Sequence, residues 1–173
     1  MHDTAEKNAR WFFDNYVTKN DSNILEIGSW TPLDSAFMIR NLKPNDSKYF
    51  GMDLQSGNNV DIVLEDTFKF PFEDNFFDYV VSSSCFEHDE FFWVTYLEIL
   101  RVLKPGGLFY LNAPSTGPYH AYPVDCWRFY MDAGQSLVKW GIKNGYTSNE
   151  LLEKFVDERM SDVWEDYVCV FKK

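Results

Sequence analysis

Cysteine and histidine are scarce in this chain, and neither follows the spacing of a metal-binding motif. The three cysteines are Cys85, Cys126 and Cys169, with no C-x-x-C pair. The three histidines are His2, His88 and His120. A scattered, odd set of thiols is typical of reduced cysteines in a cytoplasm-like compartment. Unpaired cysteines also argue against a structural zinc site, so the sequence predicts no metal.

Basic residues are few: 16 lysines and arginines stand against 27 acidic residues, for a formal net charge of -11. A strongly acidic surface repels phosphate backbones, and no basic stretch offsets it, so we expect no nucleic-acid substrate. A small-molecule substrate or a cationic ligand suits this charge better. Solubility alone is the simpler explanation of most of the charge.

Long hydrophobic runs are missing. No stretch approaches the roughly 20 apolar residues that cross a bilayer, so we expect no membrane insertion. The start, residues 1–4, has neither the basic nor the apolar region of a signal peptide. We therefore expect a soluble, cytoplasmic protein. A length of 173 residues suits one domain, residues 1–173, and an apolar share of 45% is enough for a core.

Short apolar runs alternate with helical patterns along the chain. Helices are predicted over residues 4–18, 32–41, 89–103 and 132–144, with Thr31 as a possible cap and Pro32 in the first turn of the second helix. Strands are predicted over residues 24–28, 48–53, 60–64, 77–83, 108–113, 154–158 and 167–171. Strand–helix alternation predicts an α/β fold with a parallel sheet covered by helices. Such sheets bind ligands beyond the carboxyl ends of their strands.

Acidic and small residues follow several of these strands. Glu26 and Gly28 end the first, and glycine permits a close approach of backbone to ligand. Asp53 ends the second, where a carboxylate can accept both hydroxyls of a ribose. Asp66 follows the third and could accept from an adenine amine, with Phe68 against the ring. Taken singly, each of these residues could equally be part of an ordinary turn or a solvated surface.

Three further stretches carry a family resemblance. They are residues 70–82 (FPFEDNFFDYVVS), 86–88 (FEH) and 100–108 (LRVLKPGGL). The stretches resemble the corresponding segments of class I S-adenosylmethionine-dependent methyltransferases of the type 11 kind, and the resemblance covers roughly residues 22–145. It implies a Rossmann-like, doubly wound, mostly parallel seven-stranded sheet with a C-terminal antiparallel strand pair.

The resemblance also implies the cofactor, S-adenosyl-L-methionine, and the residues that would hold it. Glu26 and Gly28 would hold its methionine end, Asp53 its ribose hydroxyls and Asp66 its adenine amine. The full set of implied cofactor residues is Glu26, Gly28, Ser29, Asp53, Leu54, Asp66, Thr67, Ser83 and Ser84.

The first motif departs from the family pattern. Trp30 and Pro32 stand where further glycines are common. We expect the Trp30 side chain to point away from the cofactor, because it would otherwise crowd it. The replaced glycines would weaken cofactor binding, but they leave the fold prediction unchanged.

Residues 119–130 (YHAYPVDCWRFY) form the most unusual segment. It resembles a motif of bacterial methyltransferases that are encoded with glycosyltransferases and modify sugars of surface polysaccharides. Histidine titrates near neutrality, so His120 is the candidate catalytic base and Asp125 could orient its ring. Arg128 could bind a phosphate or carboxylate of the acceptor. The residues that could stack on a sugar are Tyr119, Tyr122 and Trp127.

Simpler structural roles remain open for this segment. Asp125 and Arg128 are three residues apart and could pair only to fix the loop, and the aromatic rings could only fill the core.

At the level of the whole chain, the sequence leaves three hypotheses: a methyltransferase for a small, sugar-like acceptor, a binding module that has lost catalysis, and a nicotinamide-dependent oxidoreductase. The missing G-x-G-x-x-G argues against the last. A homo-oligomer or a partner protein could complete the acceptor site.

Overall fold

The computed structural model describes residues 3–33, 35, 37–158 and 163–173. Its centre is a seven-stranded sheet in the order β3-β2-β1-β4-β5-β7-β6. The strands are β1 (Asn23–Ile27), β2 (Lys48–Asp53), β3 (Ile62–Val63), β4 (Phe77–Ser83), β5 (Leu103–Thr116), β6 (Glu150–Glu158) and β7 (Glu165–Lys172). The helices are α1 (Asp3–Tyr16), α2 (Phe92–Val102) and α3 (Ala133–Lys143).

Strands β1 to β5 are parallel to one another, and β7 is antiparallel to both β5 and β6. This confirms the predicted Rossmann-like sheet with a C-terminal antiparallel pair. Strand β4 is buried along its whole length, which fits a central strand covered on both faces. None of the helices described is long and apolar enough to cross a membrane.

Two apolar layers cover the two faces of the sheet. One buries Leu25 and Val80 against helices α2 and α3, and the other buries Ile24 and Val81 against α1. Alternation along each strand separates the two sets, because successive side chains point to opposite faces. Helix α1 also makes polar contacts at the carboxyl side of the sheet, where Asn8 Nδ2 donates to Asn112 Oδ1 on β5 at 3.1 Å.

The predicted helix over residues 32–41 is wrong. A single 3-10 turn, Ile39–Leu42, follows instead, and residues 34 and 36 lie outside the described part of the chain. The Thr31 hydroxyl donates backward to Ser29 O at 3.0 Å and so caps no helix. The described residues between β1 and that turn form no helix or strand.

Other predicted boundaries shift without changing the architecture. Strand β5 begins at Leu103, before the predicted start at residue 108, because Leu103 pairs with Phe77 at the start of β4. The predicted third strand shrinks to β3, and the two C-terminal strands are longer than predicted.

Candidate cofactor and acceptor site

The candidate site lies at the carboxyl ends of the parallel strands. Glu26 is the last but one residue of β1, Asp53 ends β2 and Ser83 ends β4. Because β2, β1 and β4 are neighbours in the sheet, these strand ends form one continuous rim. The resemblance placed its cofactor residues on this rim.

Glu26 is a buried acid held by two neutral donors. Tyr49 Oη and Asn59 Nδ2 each donate to Glu26 Oε2 at 2.9 Å. Burial raises the pKa of Glu26 to about 7, because loss of water disfavours the carboxylate more than these two hydrogen bonds favour it. A cationic ligand group beside Glu26 would restore its negative charge.

Glu26→Gln tests this burial cost. The pKa of Glu26 is raised in the folded state, so its stabilising contribution is complete below pH 4.5 and is lost as the pH rises through about 7. Relative to wild type, the variant should gain about 3 kcal/mol in free energy of unfolding between pH 4 and pH 8.5. Chemical denaturation at several pH values measures this difference, with the exposed-site variant Glu73→Gln as control. A difference that stays constant with pH would contradict the prediction.

Gly28 occupies a position that other residues tolerate poorly. Its φ is +75°, and a Cβ atom built there would lie 2.5 Å from Cys85 Cβ. The loop after β4 therefore packs directly on the turn after β1. The buried Ser29 Oγ finds no hydrogen-bond partner in the described part of the chain. Close backbone packing and a buried hydroxyl suit contact with a polar ligand at this turn.

Trp30 turns toward the loop after β2. A Cβ atom on Gly57 would lie 2.4 Å from Trp30 Nε1, so the indole packs against the Gly57 backbone. The Trp30 ring also lies 6.0 Å from the Tyr122 ring, measured between centroids. Trp30 thus joins the cofactor side of the rim to the segment of residues 119–130.

Asp53 is fixed by the turn beside it. Trp30 N donates to Asp53 Oδ2 at 3.0 Å, and Gln55 N donates to Oδ1 at 3.3 Å. Each carboxylate oxygen can accept a second hydrogen bond, so both remain available to a diol. The next side chain, Leu54, is 61% exposed.

Asp66 and Thr67 lie in the loop after β3, next to the end of β2, because Leu64 N donates to Asp53 O at 2.8 Å. Asp66 Oδ1 accepts from Phe68 N at 2.8 Å, which holds the loop in a tight turn. The Phe68 ring is 53% exposed. An exposed aromatic ring beside a carboxylate provides stacking surface and an acceptor for an amine.

Ser83 and Ser84 complete this part of the rim. Ser83 Oγ is buried and finds no hydrogen-bond partner within the described ranges. Ser84 has a φ of +52°, and its N–H donates to Asn112 O at 2.9 Å. The chain thus turns sharply here and leaves a buried hydroxyl toward the site.

Asp125 and Arg128 pair within the loop that follows β5. Arg128 Nη1 donates to Asp125 Oδ1 at 2.6 Å and Nη2 donates to Oδ2 at 2.8 Å. Its remaining N–H groups donate to the carbonyl oxygens of three loop residues: Gly117, Pro118 and Trp127. The guanidinium beside it holds the pKa of Asp125 well below its usual range. All five donors of Arg128 are engaged in shaping the loop.

His120 lies beside this pair. His120 N donates to Asp125 Oδ2 at 2.7 Å, and Nδ1 lies 3.2 Å from the same oxygen without alignment for a hydrogen bond. The imidazole packs between His88, at 4.9 Å, and Trp164, at 4.7 Å between ring centroids. Asp125 therefore positions the backbone of His120 and lies next to its ring, and 40% of the His120 side chain is exposed.

Glu87 and His88 lie close to His120, which the sequence does not predict. The loop folds back over the end of β4, with Cys126 N donating to Glu87 O at 2.7 Å and His88 Nδ1 lying 2.5 Å from Val124 O. Residues 86–88 carry part of the family resemblance, and the sequence assigns no site role to Glu87 or His88. Their nearness to His120 follows from long-range loop packing, which spacing along the chain does not indicate.

The three aromatic residues predicted for the acceptor are spread over the loop surface. Tyr119 and Tyr122 are exposed, and Tyr122 lies near both Trp30 and His88. Trp127 instead packs against Phe92 of α2, and its Nε1 donates to Asp89 O at 2.9 Å. Tyr122 is thus beside the rim, whereas Trp127 anchors the loop to α2.

Comparisons with known proteins agree with this geometry. A family model described as a methyltransferase domain matches residues 35–111. No protein of curated function matches the chain.

Many solved structures share the fold. One is the Burkholderia thailandensis 1,6-didemethyltoxoflavin-N1-methyltransferase with bound 1,6-didemethyltoxoflavin and S-adenosylhomocysteine, with a TM-score of 0.69 at 14% identity over 98% of this chain and 78% of that one. A second comes from the Haloferax volcanii complex of the Trm112 methyltransferase activator with a protein assigned as a methyltransferase (TM-score 0.66, 17% identity, 98% and 90% covered). A third is the [4+2]-cyclase SpnF (TM-score 0.67, 13% identity, 97% and 81% covered).

The strand order and these similarities define a Rossmann-like methyltransferase fold. Residues 35–111 match a methyltransferase-domain model, and the Burkholderia thailandensis protein on the same fold holds S-adenosylhomocysteine.

Proposed function

We propose that this protein transfers a methyl group from S-adenosylmethionine to a hydroxyl or amine of a small, sugar-like acceptor. One observation carries the proposal: Glu26, Asp53 and Asp66 follow adjacent parallel strands, and a loop bearing His120 folds over the same rim. The three acids suit an adenosine-bearing cation, and the His120 loop supplies acid–base chemistry beside it.

The residues of the rim fit the cofactor. In this proposal Glu26, with Gly28 and Ser29, binds the methionine end, where the ammonium group would favour the Glu26 carboxylate. Asp53 accepts from the ribose hydroxyls. The other residues assigned to the cofactor are Leu54, Asp66, Thr67, Ser83 and Ser84. The exposed Leu54 and Phe68 side chains supply apolar surface for adenine, and the buried Ser83 hydroxyl supplies a donor.

The reaction is an in-line displacement on a sulfonium. The acceptor oxygen attacks the methyl carbon, a C–O bond forms and the S–C bond breaks with its electron pair going to sulfur. The acceptor proton passes to the His120 ring, which Asp125 positions. Alignment and removal of this proton are what the enzyme contributes to the rate.

The loop of residues 117–130 provides the acceptor side. Tyr119 and Tyr122 offer exposed rings for a sugar face. The acceptor contact predicted for Trp127 stays a prediction, because its ring packs edge-on against Phe92 of α2. The acceptor contact predicted for Arg128 stays a prediction, and because its donors are engaged we assign Arg128 to holding the loop. The resemblance of residues 119–130 further suggests sugars of surface polysaccharides as acceptors, in a cytoplasmic biosynthetic step.

A binding module without methyl transfer is the second candidate. Trp30 replaces a glycine common in the family and contacts Tyr122 across the rim. The similarity to a [4+2]-cyclase shows that this fold also serves other reactions. A partner protein or a second copy of the chain could complete the acceptor site, and one similar structure is a complex with an activator protein.

A measurement of cofactor binding tests whether the rim of the sheet binds S-adenosylmethionine at all. Saturating S-adenosylhomocysteine should raise the melting temperature by about 5–10 °C, because a ligand at 100 times its Kd stabilises the folded state by about 2.7 kcal/mol. NAD should give no shift. Asp53→Asn should weaken S-adenosylhomocysteine binding by about 10- to 100-fold, since a charged acceptor for the ribose is lost.

The matched control is Asp46→Asn. Asp46 is exposed and precedes β2, whereas Asp53 ends the same strand on the opposite rim. The control should bind like wild type. A wild-type protein that ignores S-adenosylhomocysteine, or an Asp53→Asn variant that binds it normally, would contradict the assigned site. Transfer of labelled methyl groups to a panel of hexoses, aminohexoses and nucleotide sugars then distinguishes an enzyme from a binding module.

A further inference from the structure

Three potential metal ligands converge beneath the loop of residues 117–130. Glu87, His88 and His120 each place one ligand atom within 4.8 Å of the other two. Glu87 and His88 follow β4, and His120 arrives from the loop 32 positions later. The sequence spacing predicted no metal, but the fold brings together residues that the chain keeps apart.

Glu87 is a buried acid whose hydrogen bonding is incomplete within the described residues. Its side chain is 2% exposed, and its Oε2 atom has no hydrogen-bond partner among the residues that the structure describes. Burial raises the pKa of Glu87 to about 8. Native structures seldom leave a buried carboxylate oxygen without a partner, so this atom requires an explanation.

His88 presents a free nitrogen to this carboxylate. Its Nδ1 lies 2.5 Å from Val124 O, and because a carbonyl oxygen only accepts, Nδ1 carries the proton. In the neutral ring with its proton on Nδ1, Nε2 carries the lone pair. That Nε2 lies 3.6 Å from Glu87 Oε1, too far for a direct hydrogen bond.

We propose that Glu87, His88 and His120 bind one divalent first-row transition-metal ion, of which Zn²⁺ is the best fit. Two ligands on a tetrahedral zinc at about 2.05 Å lie about 3.3 Å apart. The Glu87–His88 pair is already near that distance, and a shift of roughly 1.5 Å would bring the widest pair onto the same ion.

The donor set determines which ions suit the site. Two imidazoles and one carboxylate favour zinc, iron, cobalt, nickel or manganese, whereas magnesium and calcium prefer all-oxygen sets. Three protein ligands leave a fourth position open, as in catalytic zinc sites. The His120 side is the open one, since 40% of its side chain is exposed against 16% for His88.

The surrounding loop supports the ligands as an outer shell would. Val124 O fixes the His88 ring, and Asp125 lies beside the His120 ring while accepting from its backbone. Arg128 in turn holds Asp125 with two hydrogen bonds. Carbonyl and carboxylate partners of this kind orient ligating histidines and raise their basicity.

The catalytic role of the ion rests on the proposed function. An acceptor hydroxyl in the open position would be more acidic, so its proton would pass to a solvent water instead of to His120, and the resulting alkoxide would attack the methyl carbon. His120 would then be a ligand of the ion, and its loss would remove the ion and the activation together.

Calorimetry on the full chain tests the site directly. Protein without an affinity tag is stripped with a chelator and titrated with Zn²⁺ and, in parallel, Mg²⁺. We expect one Zn²⁺ per chain, a raised melting temperature and no Mg²⁺ binding. Glu87→Gln and His88→Ala should each weaken Zn²⁺ binding at least 100-fold, with circular dichroism to verify folding.

Two controls separate this site from adventitious binding. Glu90→Gln removes an exposed acid three positions from Glu87, and Cys126→Ser removes the exposed thiol of the loop. Both should bind Zn²⁺ like wild type. The inference is overturned if wild type shows no saturable Zn²⁺ binding, or if Glu87→Gln binds with the wild-type Kd. Stoichiometric, Glu87-dependent binding in a protein that transfers no methyl group would support the site and contradict the proposed function.

Discussion

Replacement of His120 by alanine should lower methyl transfer by about 10²- to 10⁴-fold, with S-adenosylhomocysteine affinity unchanged within about twofold. Positioned acid–base groups contribute rate factors of this size. The His120 ring lies among His88, Asp125 and Trp164, whereas the residues proposed for the cofactor lie at the carboxyl ends of β1 to β4. Initial rates with labelled S-adenosylmethionine, on whichever acceptor the wild type uses, measure the first quantity, and calorimetry with S-adenosylhomocysteine measures the second.

Added imidazole provides a control for this variant. If the His120 ring takes part in the reaction, imidazole that enters the space left by this ring should restore part of the turnover. Tyr119→Phe is a second control, because it retains the exposed ring nearby and should keep most of the activity. Unchanged turnover in His120→Ala, or equal losses in turnover and cofactor affinity, would contradict the assignment.

Much of the fold was predictable because local patterns and long-range packing agree. The apolar runs of β1, β2 and β4 and the helical pattern of α2 all match the structure closely. Residues 32–41 failed because the helix signal depended on Thr31 as a cap and Pro32 as a first residue. In the structure the Thr31 hydroxyl bonds to Ser29 O. A helix start requires the cap geometry as well as the residue types.

The candidate site also has a part that the sequence predicts and a part that it does not. Residues at strand ends, such as Glu26 and Asp53, could be placed from the sequence because parallel strands present their carboxyl ends at one rim. The partnership of Glu87 and His88 with His120 could not be predicted, because it depends on a loop that closes over a separate strand end. Its one signal in the sequence was an acid–histidine pair directly after a buried strand.

Trp30 connects the two halves of the site. It replaces an expected glycine, yet its indole lies on Gly57 and its backbone N–H donates to Asp53. The contact with Tyr122 ties the cofactor turn to the acceptor loop. Occupancy of one half can therefore affect the order of the other, since both share this aromatic pair.

Arg128→Ala should destabilise the protein by about 2–3 kcal/mol and lower its melting temperature by roughly 5–10 °C. The substitution removes both hydrogen bonds to Asp125, whose side chain is 1% exposed, and leaves a covered carboxylate without its cation. It also frees the carbonyl oxygens that Arg128 gathers within the loop. Thermal denaturation and limited proteolysis of the loop measure these effects.

The double variant Asp125→Asn with Arg128→Ala isolates the charge. It should be more stable than Arg128→Ala alone, because the second substitution removes the carboxylate left without a partner. Arg128→Lys should fall between wild type and Arg128→Ala, since lysine keeps the charge and loses the planar fork. Arg128→Ala could instead keep the wild-type melting temperature and raise the KM only for phosphorylated or carboxylated acceptors. That result would support a contact between Arg128 and the acceptor. Stability and KM together therefore decide whether this arginine shapes the loop or binds the substrate.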